Sequence, residues 1–181
     1  MDQALNANLF TGGVAAFPAV PPGVYRFRSP AGPLRVVWTG TGPAEAAWTP
    51  PDAGPDEAGG AGRDSVAAWL RTWRTAGPRE RWAALAPGGS EWRRAVWRAL
   101  LTIPAGQTET YGSIAARLGR PRAARTVGAA VGANPLACFV PCHRVVPATG
   151  GIGGFRWGGW RKRALLDAEA ESGSATVLSA P

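Results

Sequence analysis

The run from Thr110 to Val146 leaves the chain few ways to fold. Thr110 can cap a helix over Tyr111 to Leu118, which Gly119 closes as a C′ residue. Pro121 suits the first turn of a second helix, Arg122 to about Val131. Two short helices joined by Gly119-Arg120-Pro121 form a helix-turn-helix signature. Asn134-Pro135 then turns the chain into Cys138-Phe139-Val140-Pro141-Cys142-His143-Arg144-Val145-Val146. These apolar, partly β-branched flanks predict a short buried strand, bent or ended at Pro141 because proline cannot donate to a ladder. Cys142 then sits at the bend with its sulfur aimed at a pocket.

Cys142 adjoins the only histidine in the chain. A cysteine of ordinary pKa, about 8.5, is only a few per cent thiolate at neutral pH, so it needs a base or a positive field. On an extended segment the His143 ring points away from the neighbouring sulfur, which favours a bridging water over a direct pair. An imidazole also needs an orienting partner on its other nitrogen. The carboxylates within reach are Glu91, Glu109, Asp167, Glu169 and Glu171, and Glu169 is the candidate. Free cysteines are often inert core residues, and nothing inside this segment excludes that. Metal binding is set aside: Cys138, Cys142 and His143 share one segment, whereas a zinc site wants four convergent ligands. No cofactor is called for.

The charge distribution points to a partner. Formal net charge is +8, from nineteen arginines, one lysine and twelve acidic residues. Between Thr110 and Leu166 there is no Asp or Glu, but nine cations: Arg117, Arg120, Arg122, Arg125, Arg144, Arg156, Arg161, Lys162 and Arg163. Such a stretch is the footprint of a polyanion. The second helix is nearly all small residues plus arginines. Ala123, Ala124, Thr126, Gly128 and Ala129 either pack tightly against the core or let the backbone press into a DNA groove. Gly128 costs about 1 kcal/mol relative to alanine in mid-helix, which suggests a close approach.

The rest of the chain reads as support. Residues 1–23 look like a flexible extension. Val24–Arg28 and Leu34–Trp38 alternate as strands, with a short third strand near Ala46–Trp48. Residues 50–62 are a low-complexity loop. Asp64 or Ser65 can cap a helix to Thr75, with Val66, Trp69, Leu70 and Trp73 on one face. Residues 24–86 thus make a small α+β domain without evident chemistry, and Ala86-Pro87-Gly88-Gly89 is the boundary. Ser90 caps a helix whose face is Trp92, Ala95, Val96, Ala99 and Leu100. The Gly-rich run 148–159 fits no phosphate-binding fingerprint and is read as a pocket wall. A last helix covers Trp160 to about Glu171 with Leu165 and Leu166 inward, and residues 172–181 fray. Two cysteines point to a reducing compartment. The N-terminus lacks the charged start of a signal peptide, and no run of about 18 apolar residues could span a membrane. The expected location is the cytoplasm.

PCHRVV, preceded by TYGSIAARLGRPRAARTVGAAVGANPL and followed by GGFRWG and RKRALLDAE, resembles the O6-alkylguanine-DNA alkyltransferases (methylated-DNA–protein-cysteine methyltransferases). The resemblance is strong over residues 90–171 and looser over 24–86. It implies an α+β fold: a small RNase H-like N-terminal domain, then a helical domain over 87–171 with a winged-helix-like helix-turn-helix and a short active-site strand. It implies a DNA repair protein that moves the alkyl group from O6-alkylguanine, and from O4-alkylthymine, onto its own cysteine once per molecule. Cys142 is then the acceptor, His143 its base through a water, Glu169 the orienter of His143, and Asn134 the brace of the turn. Tyr111 donates to the departing guanine and helps turn the phosphate, while Arg125 fills the stack left by the flipped nucleotide. The helix carrying Arg122, Ala124 and Thr126 lies in the minor groove. Backbone N–H groups at Phe155-Arg156 meet O6, and the carbonyls of Cys142 and Val145 meet the exocyclic amine. The implied partner is double-stranded DNA carrying the lesion, bound by a monomer with scope for cooperativity on DNA, and no membrane. Ala137 and Phe155 depart from the proline and tyrosine common in the family, which bears on substrate range. The alternatives are a module that binds alkylated bases without transfer, and a Cys-His hydrolase.

Overall fold

A computed structural model describes residues 17–49 and 60–172. Strands β1 (Gly23–Phe27), β2 (Leu34–Thr39) and β3 (Gly42–Trp48) form an antiparallel sheet in the order β1-β2-β3. Tyr25 pairs with Val36 and Leu34 with Trp48, and a bulge falls between Val37 and Trp38. The period-2 pattern puts Tyr25, Phe27, Leu34, Val36, Trp38 and Ala46 on one buried face. Helix α1 (Gly60–Thr75) lies on that face through Val66, Trp69, Leu70 and Trp73. Trp38 meets Trp69 edge-on with ring centroids 4.8 Å apart, and Trp69 stacks on Trp73 at 4.9 Å.

Several elements differ from expectation. Helix α1 starts at Gly60, earlier than a cap at Asp64 or Ser65; residues 50–59 of the expected loop lie outside the described residues. Strand β3 is longer than Ala46–Trp48 because Gly42 and Pro43 also pair with β2. A short helix α2 (Pro78–Ala83), opened by Pro78 in its first turn, was not anticipated. Phe17, assigned to the extension, packs on Trp69 at 5.0 Å, and Val20 is buried.

The second half follows its caps. Helix α3 (Glu91–Leu100) begins with Ser90 accepting from Arg93 N. Its buried residues include Trp97, whose Nε1 donates to Ala130 O at 2.8 Å. After strand β4 (Glu109–Thr110), helix α4 (Tyr111–Arg117) begins with Thr110 Oγ1 accepting from Ser113 N. Gly119 has φ +72, and the bonds Gly119 N→Ala116 O and Arg120 N→Ala115 O close the helix as a Schellman motif. Helix α5 is Ala124–Gly132, two residues later than expected, because Pro121-Arg122 forms a turn first. Helix α6 (Gly159–Ser172) buries Leu165 as expected, with Leu166 half-buried; residues 173–181 lie outside the described residues.

The segment around Cys142 is not the expected strand. Cys142–Arg144 is a turn of 3-10 helix, and only Val145–Val146 forms a strand, β5, pairing parallel with β4. The β-branched run mimics a strand, but tight local bonds win: Phe139 N→Ala137 O, Val140 N→Leu136 O, Cys142 N→Val140 O and Arg144 N→Pro141 O. Cys138 takes φ +67, a left-handed conformation uncommon outside glycine. Two anchors hold this coil. Phe139 inserts among Phe27, Trp38, Trp69 and Trp73 with centroids 5.6–6.5 Å away. Ala46 of β3 donates to Pro135 O and accepts from Ala137 N. Sheet, helices and reactive segment therefore share one continuous core.

Candidate active site

Asn134 is fully buried and organises the turn. Its Oδ1 accepts from Leu136 N at 2.9 Å. Its Nδ2 donates to Val140 O at 3.0 Å, to Leu136 O at 3.3 Å and to Cys142 Sγ at 3.1 Å. Bracing was the expected task; direct contact with the sulfur was not foreseen. Cys142 is 3% exposed. Burial pushes its thiol up to about 11, against the opposing pull of the Asn134 amide, the Lys162 charge and local backbone N–H groups. The resting sulfur is therefore a neutral thiol that needs a base.

A buried histidine–carboxylate pair lies behind it. His143 Nε2 lies 2.8 Å from Glu169 Oε1. Glu169 also accepts from Arg144, whose Nε reaches Oε2 at 2.9 Å and whose Nη2 reaches Oε1 at 2.7 Å, and from Gly106 N at 3.3 Å. Burial alone would raise the Glu169 pKa, but hydrogen bonds from His143 and Arg144 outweigh it and bring it to about 2. The carboxylate is ionised and can only accept, so the network assigns the proton to His143 Nε2. Burial lowers the His143 pKa, ahead of the opposing pull of Glu169, and favours the neutral ring. His143 Nδ1 then carries a free lone pair. It is buried and has no hydrogen-bond partner among the described residues.

A cavity of about 230 Å³ opens onto the sulfur. Tyr111, Cys142, Phe155 and Arg156 line it, as expected, together with Gly128, Val131, Gly132, Gly154 and Trp157. Burial, then repulsion from Cys142 in its thiolate form, raises the Tyr111 pKa, so its hydroxyl stays a donor. A Cβ on Gly128 would meet the Tyr111 ring at 3.7 Å, an ordinary contact, so glycine here widens the cavity and does not relieve a clash. Gly153 is required: it has φ +69, and a Cβ would lie 2.7 Å from Pro147 Cδ.

The remaining expected residues sit outside the cavity lining. Arg122, in the turn before α5, is exposed, as are Arg125 and Thr126; Ala124 is half-buried beside the buried Val127 and Val131, and Arg125 projects from the opposite side of the helix. Val145 is buried in β5, and its carbonyl accepts from Lys162 Nζ at 2.6 Å. This revises the charge reading. Arg144 and Lys162 are 3% and 1% exposed, so two of the nine cations face the active site from inside and not a polyanion. In sequence they look like the others; their partners lie 17 to 25 residues away. Among the described residues no cluster suited to a metal ion occurs, and no helix is long and apolar enough to cross a membrane.

Residues 91–171 match the family described as 6-O-methylguanine DNA methyltransferase, DNA binding domain. A methylated-DNA–protein-cysteine methyltransferase of Mycobacterium tuberculosis is 51% identical over 89 residues, which is 49% of this chain and 54% of that protein. One of Salmonella typhimurium is 54% identical over 81 residues, 45% of this chain and 47% of that protein. The aligned sequence thus spans about half the length of these curated relatives. The crystal structure of Mycobacterium tuberculosis OGT in complex with DNA superposes more widely: TM-score 0.63, 34% identity, 82% of this chain and 93% of that one. The mixed α/β fold matches those structures. On the sequence match and the whole-fold superposition together, the chain belongs to the O6-methylguanine-DNA methyltransferase family.

Proposed function

We propose that this protein repairs DNA by taking the alkyl group from O6 of guanine, and from O4 of thymine, onto Cys142, once per molecule. The observation that carries this reading is the buried thiol at the end of an open cavity with the His143–Glu169 pair behind it. A flipped base enters the cavity; extrusion costs a few kcal/mol, least for a weakened pair. His143 Nδ1 takes the thiol proton through a water. The sulfur attacks the alkyl carbon, an S–C bond forms, and the C–O6 bond breaks with its electrons on guanine. The Tyr111 hydroxyl donates to the departing base, and the Phe155-Arg156 backbone N–H groups receive O6. The carbonyls of Cys142 and Val145 accept from the exocyclic amine. A thioether is not cleaved by water under these conditions, so the site is spent.

The exposed face of α5 is the DNA contact. Arg122, Ala124 and Thr126 lie along the minor groove, and Arg125 fills the vacated stack. Residues 24–86 act as an RNase H-like domain, supported by an antiparallel sheet with a helix across one face, and 87–171 as the DNA-binding and active-site domain with a winged-helix-like motif. The protein works in the cytoplasm as a monomer.

Mixed with excess duplex carrying O6-methylguanine, the protein will remove one methyl per molecule and stop. Removal of none, or continued turnover, would sink the reading. Arg125→Ala should slow transfer from duplex by about 10- to 100-fold, the size of a lost wedge worth a few kcal/mol. Transfer from the free O6-alkylguanine base should not change. Equal losses on both substrates would show that Arg125 does not serve flipping.

A further inference from the structure

We infer that Trp48, a residue of the N-terminal sheet, is a positioning residue that sets the width of the Cys142 cavity and so its discrimination between small and bulky alkyl groups. The discrimination among DNA substrates rests on the repair reading above; the width of the cavity does not.

The cavity wall opposite α5 comes from the loop between β5 and α6, through Phe155 and Trp157. This loop has no regular structure beyond turns. Its described backbone bonds are local: Gly150 N→Pro147 O and Gly158 N→Phe155 O. Four of its glycines, Gly150, Gly151, Gly153 and Gly158, have positive φ. Side chains must therefore fix the wall, and the largest fixed group against it is Trp48. Its ring lies 5.9 Å from Phe155 and 5.2 Å from Trp157 at tilted angles, and those two rings meet each other at 5.2 Å, closing a triangle. Edge-to-face contacts of this kind add about 0.5–1.5 kcal/mol each beyond burial.

Trp48 is itself held on three sides. It pairs with Leu34 in the sheet, its Nε1 donates to Ser29 Oγ at 3.1 Å, and the Arg161 guanidinium lies 5.9 Å from its ring centre. Arg161 in turn donates to Trp157 O at 2.9 Å. Two residues before Trp48, Ala46 grips Pro135 and Ala137. One strand thus clamps the segment leading into Cys142 on one side and the wall loop on the other. Without the Trp48 ring, Phe155 and Trp157 lose their shared backing and can swing outward.

The test uses full-length Trp48→Leu and Trp48→Phe proteins with two readouts. The first is labelling of Cys142 by methyl and benzyl methanethiosulfonate, assigned by fragmentation mass spectrometry. The thiolate attacks the sulfenyl sulfur, a mixed disulfide forms and methanesulfinate leaves. The second is single-turnover transfer from O6-benzylguanine and O6-methylguanine in duplex DNA. Trp48→Leu should raise the bulky-to-small ratio at least about fivefold in both, within the range that pocket shape gives for small apolar groups. Trp48→Phe should restore the wild-type ratio. Loss of stability alone would lower both rates together and leave the ratio unchanged; that result overturns the inference, as does a ratio Trp48→Phe fails to restore. Trp48→Met, similar in volume to leucine but unbranched and better able to fill an irregular gap, serves if circular dichroism shows the leucine protein unfolded. The labelling readout needs no DNA, so a wild-type protein that transfers no methyl overturns the repair reading while the labelling ratio still decides the role of Trp48.

Discussion

Glu169→Ala will destabilise the protein by about 3–5 kcal/mol, the cost of removing one partner from a buried ion pair. The residue is fully buried and is the shared acceptor for His143, Arg144 and Gly106 N. Alanine leaves the Arg144 guanidinium, 3% exposed, with Ile103 O as its remaining described acceptor. Urea unfolding of both proteins measures the difference; a loss below about 1 kcal/mol would show that water or Arg144 relaxes to fill the gap. The pH dependence follows from the same pair. The Glu169 pKa falls from its ordinary value to about 2 in the folded state, so its contribution is complete above the ordinary value of about 4.3. It is lost as pH falls from there through about 2. The alanine variant should lack that part of the acid transition.

His143→Gln should lower methyl transfer about 10²- to 10⁴-fold near neutral pH, the usual worth of a positioned base. The pH profile separates this from misfolding. Burial holds the Cys142 thiol at about 11, and the same burial keeps His143 neutral, with Nδ1 free to accept. In the wild type the rate should level off once His143 is deprotonated. In the variant only solvent can make the thiolate, so the rate should climb about tenfold per pH unit between about pH 7 and 10. Single-turnover rates across that range decide it, and parallel profiles would mean that His143 is not the base. In the proposed reaction His143 acts in one deprotonation and need not be regenerated.

What could be read in advance was local. Ser90, Thr110 and Gly119 work as caps because each needs only neighbours within a few residues. The Val66, Trp69, Leu70 and Trp73 face follows from helical spacing and is buried as expected. The scarcity of carboxylates in the second half leaves five within reach of His143, and Glu169 is the one that meets it. What failed depended on distant partners. Arg144 and Lys162 were counted as surface charge because their acceptors, Glu169 and Val145 O, are brought in only by the fold. The Cys142 segment passed for a strand because β-branched residues suit either state. The Asn134 side chain and successive local bonds turn it into a coil. Trp48 drew no attention because the rings it supports lie more than 100 residues further along the chain.

In the proposed reaction Cys142, and no other residue, receives the alkyl group. Cys138 is the natural competitor: it lies four residues away, and burial, ahead of neighbouring charges, pushes its thiol well above the ordinary range. The direct measurement is mass spectrometry of protein reacted with an O6-methylguanine duplex. Trypsin leaves both cysteines in the fragment Thr126–Arg144, so fragmentation of that peptide must place the group. One methyl is expected, on Cys142 Sγ, and none on a Cys142→Ser protein that still binds the duplex. A methyl on Cys138, or an unmodified peptide after the lesion has been repaired, would contradict it.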